Sequence, residues 1–218
     1  MSILQKITKQ IYPYMNEQGY TFSKKCFYKI HNDIAYCLEF EIPGGLVYAT
    51  FFVMPLYIPA QHHYYTYGNR VDSLRHSRLL PLSKNATDDE LNAWCKILLD
   101  SLDKVILPFF QKIDSPVELL KIIEKRKHSI KNYFFCPPIQ IFRLQLFSYL
   151  YTEEFDKLHV LTKKYPRIIQ KSTYFTKDVR NSYLEENDFI MKLVQDDGQT
   201  ASAFCAKTIQ DTIRNCFR

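Results

Sequence analysis

The densest cluster of polar and aromatic side chains lies between residues 62 and 78, in a stretch with neither helical nor strand periodicity. Function concentrates on loops that a rigid scaffold positions, and Tyr and Arg are favoured in recognition surfaces. The cluster therefore predicts a partner-binding surface. Its predicted members are Tyr64, Tyr65, Tyr67, Arg70, Arg75, His76 and Arg78. The alternative is an ordered loop whose rings simply cover a sheet.

The histidines of this stretch make a poor zinc site. His62 and His63 are adjacent, so their side chains diverge on either a strand or a loop. Together with His76 they would still need a fourth ligand, and no nearby Cys or acidic residue supplies one. No metal site is predicted here.

A second conceivable metal chemistry involves three carboxylates, Asp33, Glu39 and Glu41, on a predicted hairpin. A metal-dependent nuclease needs acids that converge on one ion. Glu39 and Glu41 do share one face of a predicted strand. They also occupy the solvent side of an amphipathic strand, which is the simpler interpretation, so no metal or cofactor is predicted.

Glycine usage excludes the common phosphate-binding motifs. The chain of 218 residues contains 5 glycines, and none occurs as Gly-x-Gly or precedes a lysine. Dinucleotide-binding fingerprints and P-loops both need such glycines for close approach to phosphate. The sequence also lacks the Gly-x-Ser-x-Gly and His-Glu-x-x-His motifs of hydrolases. The sequence therefore favours a non-catalytic protein, although it leaves enzymatic activity open.

Cysteine and hydropathy patterns indicate a cytoplasmic protein. The 6 cysteines mostly lie in apolar or helical stretches and form no Cys-x-x-Cys pair, which is typical of reduced, buried thiols. The residues from Ile42 to Asn69 carry no charge, a length that could span a bilayer. However, Pro43, Pro55 and Pro59 interrupt it, so a buried strand followed by an aromatic loop is predicted and a membrane span is not.

The net charge of +6 is unevenly distributed. Between Lys121 and Lys171 lie 11 basic and 4 acidic residues, and the segment 157–171 contains no acid. A basic run of this kind is usually a solvated helix face, but it also suits nucleic acid or an acidic protein. The candidate nucleic-acid contacts are Lys157, Lys163, Lys164, Arg167 and Lys171.

The spacing of apolar residues predicts the helices and strands that carry these candidate residues. An apolar stripe predicts a helix over 3–18, which Pro13 is expected to kink or end early. Three strands are predicted at 20–30, 33–42 and 46–58, and they form an antiparallel meander. Alternation in the middle strand predicts one face buried under the first helix and the other facing solvent.

The remainder of the chain reads as a long connection over 61–86, either alone or with one further short strand or turn of helix, and then as helices. Thr87 and Glu90 form a capping box, and Ser115-Pro116 begins another helix. Two helices joined near residue 152 follow, and then helices at about 177–196 and 200–216. The predicted fold class is therefore α+β, a small antiparallel sheet packed by helices followed by an all-helical C-terminal region. The predicted division is an α+β domain at 1–127 and a helical extension at 128–218.

The order of these elements, with four short motifs, resembles an uncharacterised bacterial family catalogued as domain of unknown function 4304. The motifs are Gly19 to Phe22, Tyr-Gly-Asn-Arg-Val at 67–71, Ile-Leu-Pro-Phe-Phe at 106–110 and Ser-Pro-Val-Glu-Leu-Leu at 115–120. The resemblance covers roughly residues 3–127 and implies a bacterial cytoplasmic origin. It implies no activity, because none is established for the family.

The functional prediction is a non-catalytic cytoplasmic protein that binds another protein, for instance an inhibitor or immunity-type protein that blocks a toxin or effector. The alternative is a nucleic-acid-binding protein that uses the basic C-terminal surface. An enzyme ranks third.

Overall fold

The computed structural model describes residues 1–63, 65–74, 77–125, 138–173, 175–195 and 198–218. The strands are β1 (Thr21–Ser23), β2 (Cys26–His31), β3 (Ile34–Glu41), β4 (Leu46–Pro55), β5 (Tyr67–Arg70) and β6 (Leu82–Ser83). The helices are α1 (Ile3–Glu17), α2 (Asp88–Ser101), α3 (Leu107–Gln111), α4 (Pro116–Lys125), α5 (Pro138–Tyr151), α6 (Phe155–Lys171), α7 (Lys177–Gln195) and α8 (Gly198–Phe217). The predicted α+β class is confirmed.

The strands form one antiparallel meander in the order β1-β2-β3-β4-β5, and β6 pairs with the start of β4. The single strand predicted at 20–30 is wrong, because it is two strands joined by a tight turn. Lys24 and Lys25 both adopt positive φ, 49° and 67°, as the two central residues of a type I′ hairpin turn must. Neither lysine is a residue type that marks such a turn in a sequence.

Helix α1 is set by a local cap and an apolar stripe. Ser2 accepts a hydrogen bond from the Gln5 amide, and the Gln5 side chain accepts one from the Ser2 amide. Ile7, Ile11 and Met15 are fully buried along one face. Pro13 lies on the exposed face, and the helix continues past it to Glu17, so the expected early end does not occur. The buried stripe outweighs the missing N–H.

Both faces of the sheet are covered. On the first face, Tyr36, Leu38 and Phe40 of β3 pack in the same core as α1, as predicted, and α2 joins this core as well. On the second face, Ala35 and Cys37 are fully buried, although the strand pattern places them toward solvent. The reason is the C-terminal end of α8, whose Cys216 and Phe217 pack over the second face beside Cys26, Phe52 and Met54.

The C-terminal helices also contact the strand region beyond β4. The Tyr57 hydroxyl lies 2.9 Å from the Ser148 hydroxyl, and its ring stacks on Tyr151 at 4.5 Å between centroids. Most of the predicted boundary near 128–138 lies outside the described residues, and the division into two domains stays a prediction. No helix in the described ranges is long and apolar enough to cross a membrane.

Candidate binding surfaces

Polar side chains gather where β3 ends and β4 begins, on the second face of the sheet. Glu39 pairs with Thr50, Glu41 pairs with Tyr48, and Thr50 pairs in turn with Arg70 of the edge strand β5. Because residues paired directly across neighbouring strands point to the same face, the register aligns these side chains. The second face therefore changes from apolar under α8 to polar at this end.

Tyr65 joins this polar end from the loop before β5. Its hydroxyl donates a hydrogen bond to Oε1 of Glu41, and its ring packs edge-on against Phe52 at 4.7 Å between centroids. Burial and the Glu41 carboxylate raise the pKa of the Tyr65 phenol above its ordinary value. The phenol therefore stays protonated and serves as a donor. With 36% of its surface exposed, Tyr65 remains open to a partner.

Arg70 is held between a ring and a carboxylate. Its guanidinium carbon lies 4.1 Å from the centroid of the Tyr48 ring, within the range of a cation–π interaction. Its Nη2 lies 3.7 Å from Oε2 of Glu41, and 42% of the Arg70 side chain is exposed. We call Glu41, Tyr48, Tyr65 and Arg70 the polar-aromatic patch.

A buried histidine adjoins the patch. Nδ1 of His63 lies 3.6 Å from Oε2 of Glu39, and only 8% of the His63 side chain is exposed. Its ring packs on Phe217 at 4.9 Å between centroids, which connects the patch to the C-terminal end of α8. Nε2 of His63 has no hydrogen-bond partner among the described residues. The sequence marked His63 only as one of two adjacent histidines, and no local signal pairs it with Glu39.

The carboxylates considered for metal binding do not converge. Asp33 precedes β3 and accepts a hydrogen bond from the Tyr151 hydroxyl at 2.6 Å, whereas Glu41 ends the same strand. Asp33 and Glu41 are eight residue steps apart along the strand, which is about 26 Å. Within the described part of the chain, no group of three or more His, Cys, Asp or Glu side chains could hold a metal ion.

The predicted partner-binding residues divide into three groups. Tyr65 and Arg70 belong to the patch, and Arg78 is exposed. The prediction that Tyr67 faces a partner needs correction, because this side chain is 4% exposed. Tyr67 pairs with Val53 and packs on Phe109 in the core of the first face. The other three predicted residues lie outside the described residues, namely Tyr64, Arg75 and His76.

The predicted nucleic-acid contacts all lie on α6, and four of the five are exposed and unpaired within the described part of the chain. These four are Lys163, Lys164, Arg167 and Lys171. Lys157 differs, because its Nζ lies 2.5 Å from Glu154 and 3.7 Å from Glu124. Lys157 therefore already has anionic partners on the protein.

Comparison of this chain with protein families, with curated proteins and with solved structures finds no match. The resemblance to domain of unknown function 4304 stays a prediction.

Proposed function

We propose that this chain is a non-catalytic protein that binds another protein through the polar-aromatic patch, acting as an inhibitor or immunity-type protein toward a toxin or effector. The observation that carries the proposal is the arrangement of Arg70, which is stacked on Tyr48, held by Glu41 and still partly exposed. Tyr and Arg are the side chains that most often dominate protein–protein binding energy.

The patch is already ordered before any partner arrives. The hydrogen bond from Tyr65 and the stacking of Arg70 restrict both side chains on a sheet whose faces are packed. Binding then loses little side-chain entropy, which raises affinity without adding contact area. The exposed apolar residue Leu46 begins β4 two residues before Tyr48, so it points to the same face and extends the surface.

The positive charge of this chain favours a partner with an acidic surface. The chain carries a net charge of +6, and Arg70 exposes a cation on the patch. A carboxylate on the partner could pair with the exposed edge of the Arg70 guanidinium, the side that neither Tyr48 nor Glu41 occupies. Complementary charge of this kind speeds association and discriminates among partners.

A bacterial cytoplasm is the proposed location. Cys26, Cys37, Cys95, Cys205 and Cys216 are free and buried in the described part of the chain. Unpaired thiols are typical of a reducing compartment. The bacterial origin rests on the family resemblance alone.

The test compares tagged versions of the full chain as baits in lysate of the native host treated with nuclease. The patch variant carries Tyr65→Ala and Arg70→Ala. The matched control carries Tyr12→Ala and Lys112→Ala, which remove an exposed tyrosine and an exposed cation elsewhere. Quantitative mass spectrometry then reads the captured proteins.

We expect one protein to be captured stoichiometrically by the wild type and by the control, and at least about tenfold less by the patch variant, since each lost hot spot costs more than 1 kcal/mol. The Kd of the purified partner should shift in parallel. An unchanged Kd for a folded patch variant would remove the patch from the proposed function.

A further inference from the structure

The outer face of α6 presents a line of cations away from the core. Lys163, Arg167 and Lys171 repeat every four residues and so lie on one side of the helix, with Lys164 beside them. The opposite side carries buried residues such as Tyr165 and Ile169. At 1.5 Å per residue, the line from Lys163 to Lys171 extends about 12 Å.

These four cations are available to an external anion. None of them forms an ion pair within the described part of the chain, and the segment 157–171 contains no acidic residue. Asp156 precedes that segment, at the end of α6 farthest from Lys171. The unpaired positive charge is therefore concentrated on the C-terminal half of the helix.

A groove between α5 and α6 opens beside this line. It has a volume of about 460 Å³, within the range of small-ligand sites, and Lys164 lies on its rim. Phe142 and Tyr149 supply aromatic walls, and Val160, which is 52% exposed, supplies an apolar edge. The charged residues Asp156 and Lys157 also line the groove.

The wall of this groove also contains an unsatisfied donor. Gln145 is 1% exposed, and its Nε2 has no hydrogen-bond partner among the described residues. A buried polar group without a partner is rare in proteins and costs free energy. An acceptor atom on a ligand that enters the groove would satisfy this amide.

We infer that α6 and this groove bind single-stranded nucleic acid. The phosphates lie along Lys163, Lys164, Arg167 and Lys171. One unpaired base enters the groove, stacks on Phe142 and accepts a hydrogen bond from the Gln145 amide. A cationic track beside aromatic rings is how proteins bind single strands. A duplex does not fit, because its paired bases cannot enter the groove. This inference is independent of the polar-aromatic patch.

The first experiment measures the affinity of the full chain for a fluorescein-labelled ten-nucleotide oligo(dT), by anisotropy, between 50 and 200 mM salt. Four neutralised phosphates predict a slope of about −3 for log K against log salt, which is a loss of about 50-fold over this range. A slope near zero would overturn the inference.

The charge variant combines Lys163→Ala, Lys164→Ala, Arg167→Ala and Lys171→Ala. Its control removes the same total charge from exposed lysines elsewhere, by Lys9→Ala, Lys96→Ala, Lys112→Ala and Lys207→Ala. We expect at least about 30-fold weaker binding for the charge variant at 100 mM salt and less than about threefold for the control. Equal losses would mean that only net charge matters and would overturn the assignment to α6.

The groove is tested with a probe of identical charge. An abasic ten-nucleotide oligomer keeps every phosphate and should bind the wild type about tenfold more weakly than oligo(dT), because the stacked base is absent. Gln145→Leu should weaken the binding of oligo(dT) and leave the binding of the abasic oligomer unchanged, because only the base accepts a hydrogen bond from the Gln145 amide. The abasic comparison needs only the wild type, so it decides the question even if Gln145→Leu fails to fold.

Two further probes separate the alternatives. A ten-base-pair duplex should bind more weakly than oligo(dT), and equal or tighter binding would overturn the single-strand assignment. Polyglutamate stands for an acidic protein surface. If it competes as well as unlabelled oligo(dT) at equal charge, the face recognises anionic chains in general and the nucleic-acid inference is overturned.

Discussion

Arg143 of α5 and Glu186 of α7 form a two-point ion pair, with Nε to Oε2 at 2.8 Å and Nη2 to Oε1 at 2.6 Å. Only 16% and 19% of the two side chains are exposed. Arg143 also donates a hydrogen bond to the carbonyl of Pro59 at 3.3 Å. A single side chain thus joins two C-terminal helices to the loop that follows β4.

Glu186→Gln should destabilise the protein by about 2 kcal/mol, because it leaves the guanidinium of Arg143 largely buried without its anion. Urea denaturation followed by circular dichroism measures the change. Glu185→Gln is the matched control, since Glu185 is exposed on the same helix, and it should change stability by less than about 0.5 kcal/mol. Equal midpoints for the two variants would contradict a structural role for the ion pair.

Gly68→Ala should destabilise the protein by about 3 kcal/mol or more. A Cβ at Gly68 would lie 2.0 Å from the carbonyl oxygen of Phe51 and 2.5 Å from the Cα of Phe52, both backbone atoms of β4 that cannot move aside cheaply. Gly44→Ala is the comparison: Gly44 has φ of +61° but nothing within 4 Å of its Cβ position, so only the left-handed backbone costs about 1 kcal/mol. The two urea midpoints should differ clearly, and similar midpoints would refute the close approach of β4 and β5.

Tyr65→Phe should lower stability by about 1 kcal/mol, because it removes the hydroxyl that donates to Glu41. The partial exposure of Tyr65 keeps this cost small. Tyr12→Phe should have almost no effect, since the exposed Tyr12 hydroxyl makes no hydrogen bond in the described part of the chain. Thermal denaturation of both variants checks this expectation, which fails if Tyr65→Phe matches the wild type.

Stability should fall as the pH rises above about 9. Burial raises the pKa of the Cys95, Cys205 and Cys216 thiols to about 11, whereas an unfolded thiol keeps its ordinary value near 9. Above pH 9 the unfolded chain therefore loses protons that the folded chain retains, so unfolding becomes more favourable. The contribution of each thiol is fully present below pH 9 and is lost between pH 9 and about 11, on the order of 2 kcal/mol per group.

Urea midpoints measured from pH 7 to 10.5 test this dependence. Cys95→Ala removes one titrating group, so its midpoint should decline less steeply with pH than that of the wild type. The tyrosines titrate in both proteins and cancel in the comparison. Parallel curves for the two proteins would show that Cys95 does not contribute.

Features that depend on neighbouring residues in the chain could be predicted from the amino-acid pattern. The capping box predicted between Thr87 and Glu90 involves residues three apart, and it forms as the sequence pattern requires. The alternation of β3 identified its two faces, because the side-chain period of a strand is two. The Pro116 start of α4 follows from the same local logic.

Contacts between residues far apart in the chain could not be predicted, because they depend on how the helices and strands pack. Phe217 covers part of the second face of the sheet. Its ring centroid lies 4.6 Å from that of Tyr28, about 190 residues earlier in the chain. The alternation of side chains along β3 separates its two faces, but it cannot say which face is exposed. Here helices cover both faces of the sheet. The register of β5 against β4 likewise places the Tyr67 side chain in the core. Arg70 of β5 lies close to Glu41 of β3 because β4 pairs with both of those strands. Such contacts depend on packing between elements, which no local pattern specifies.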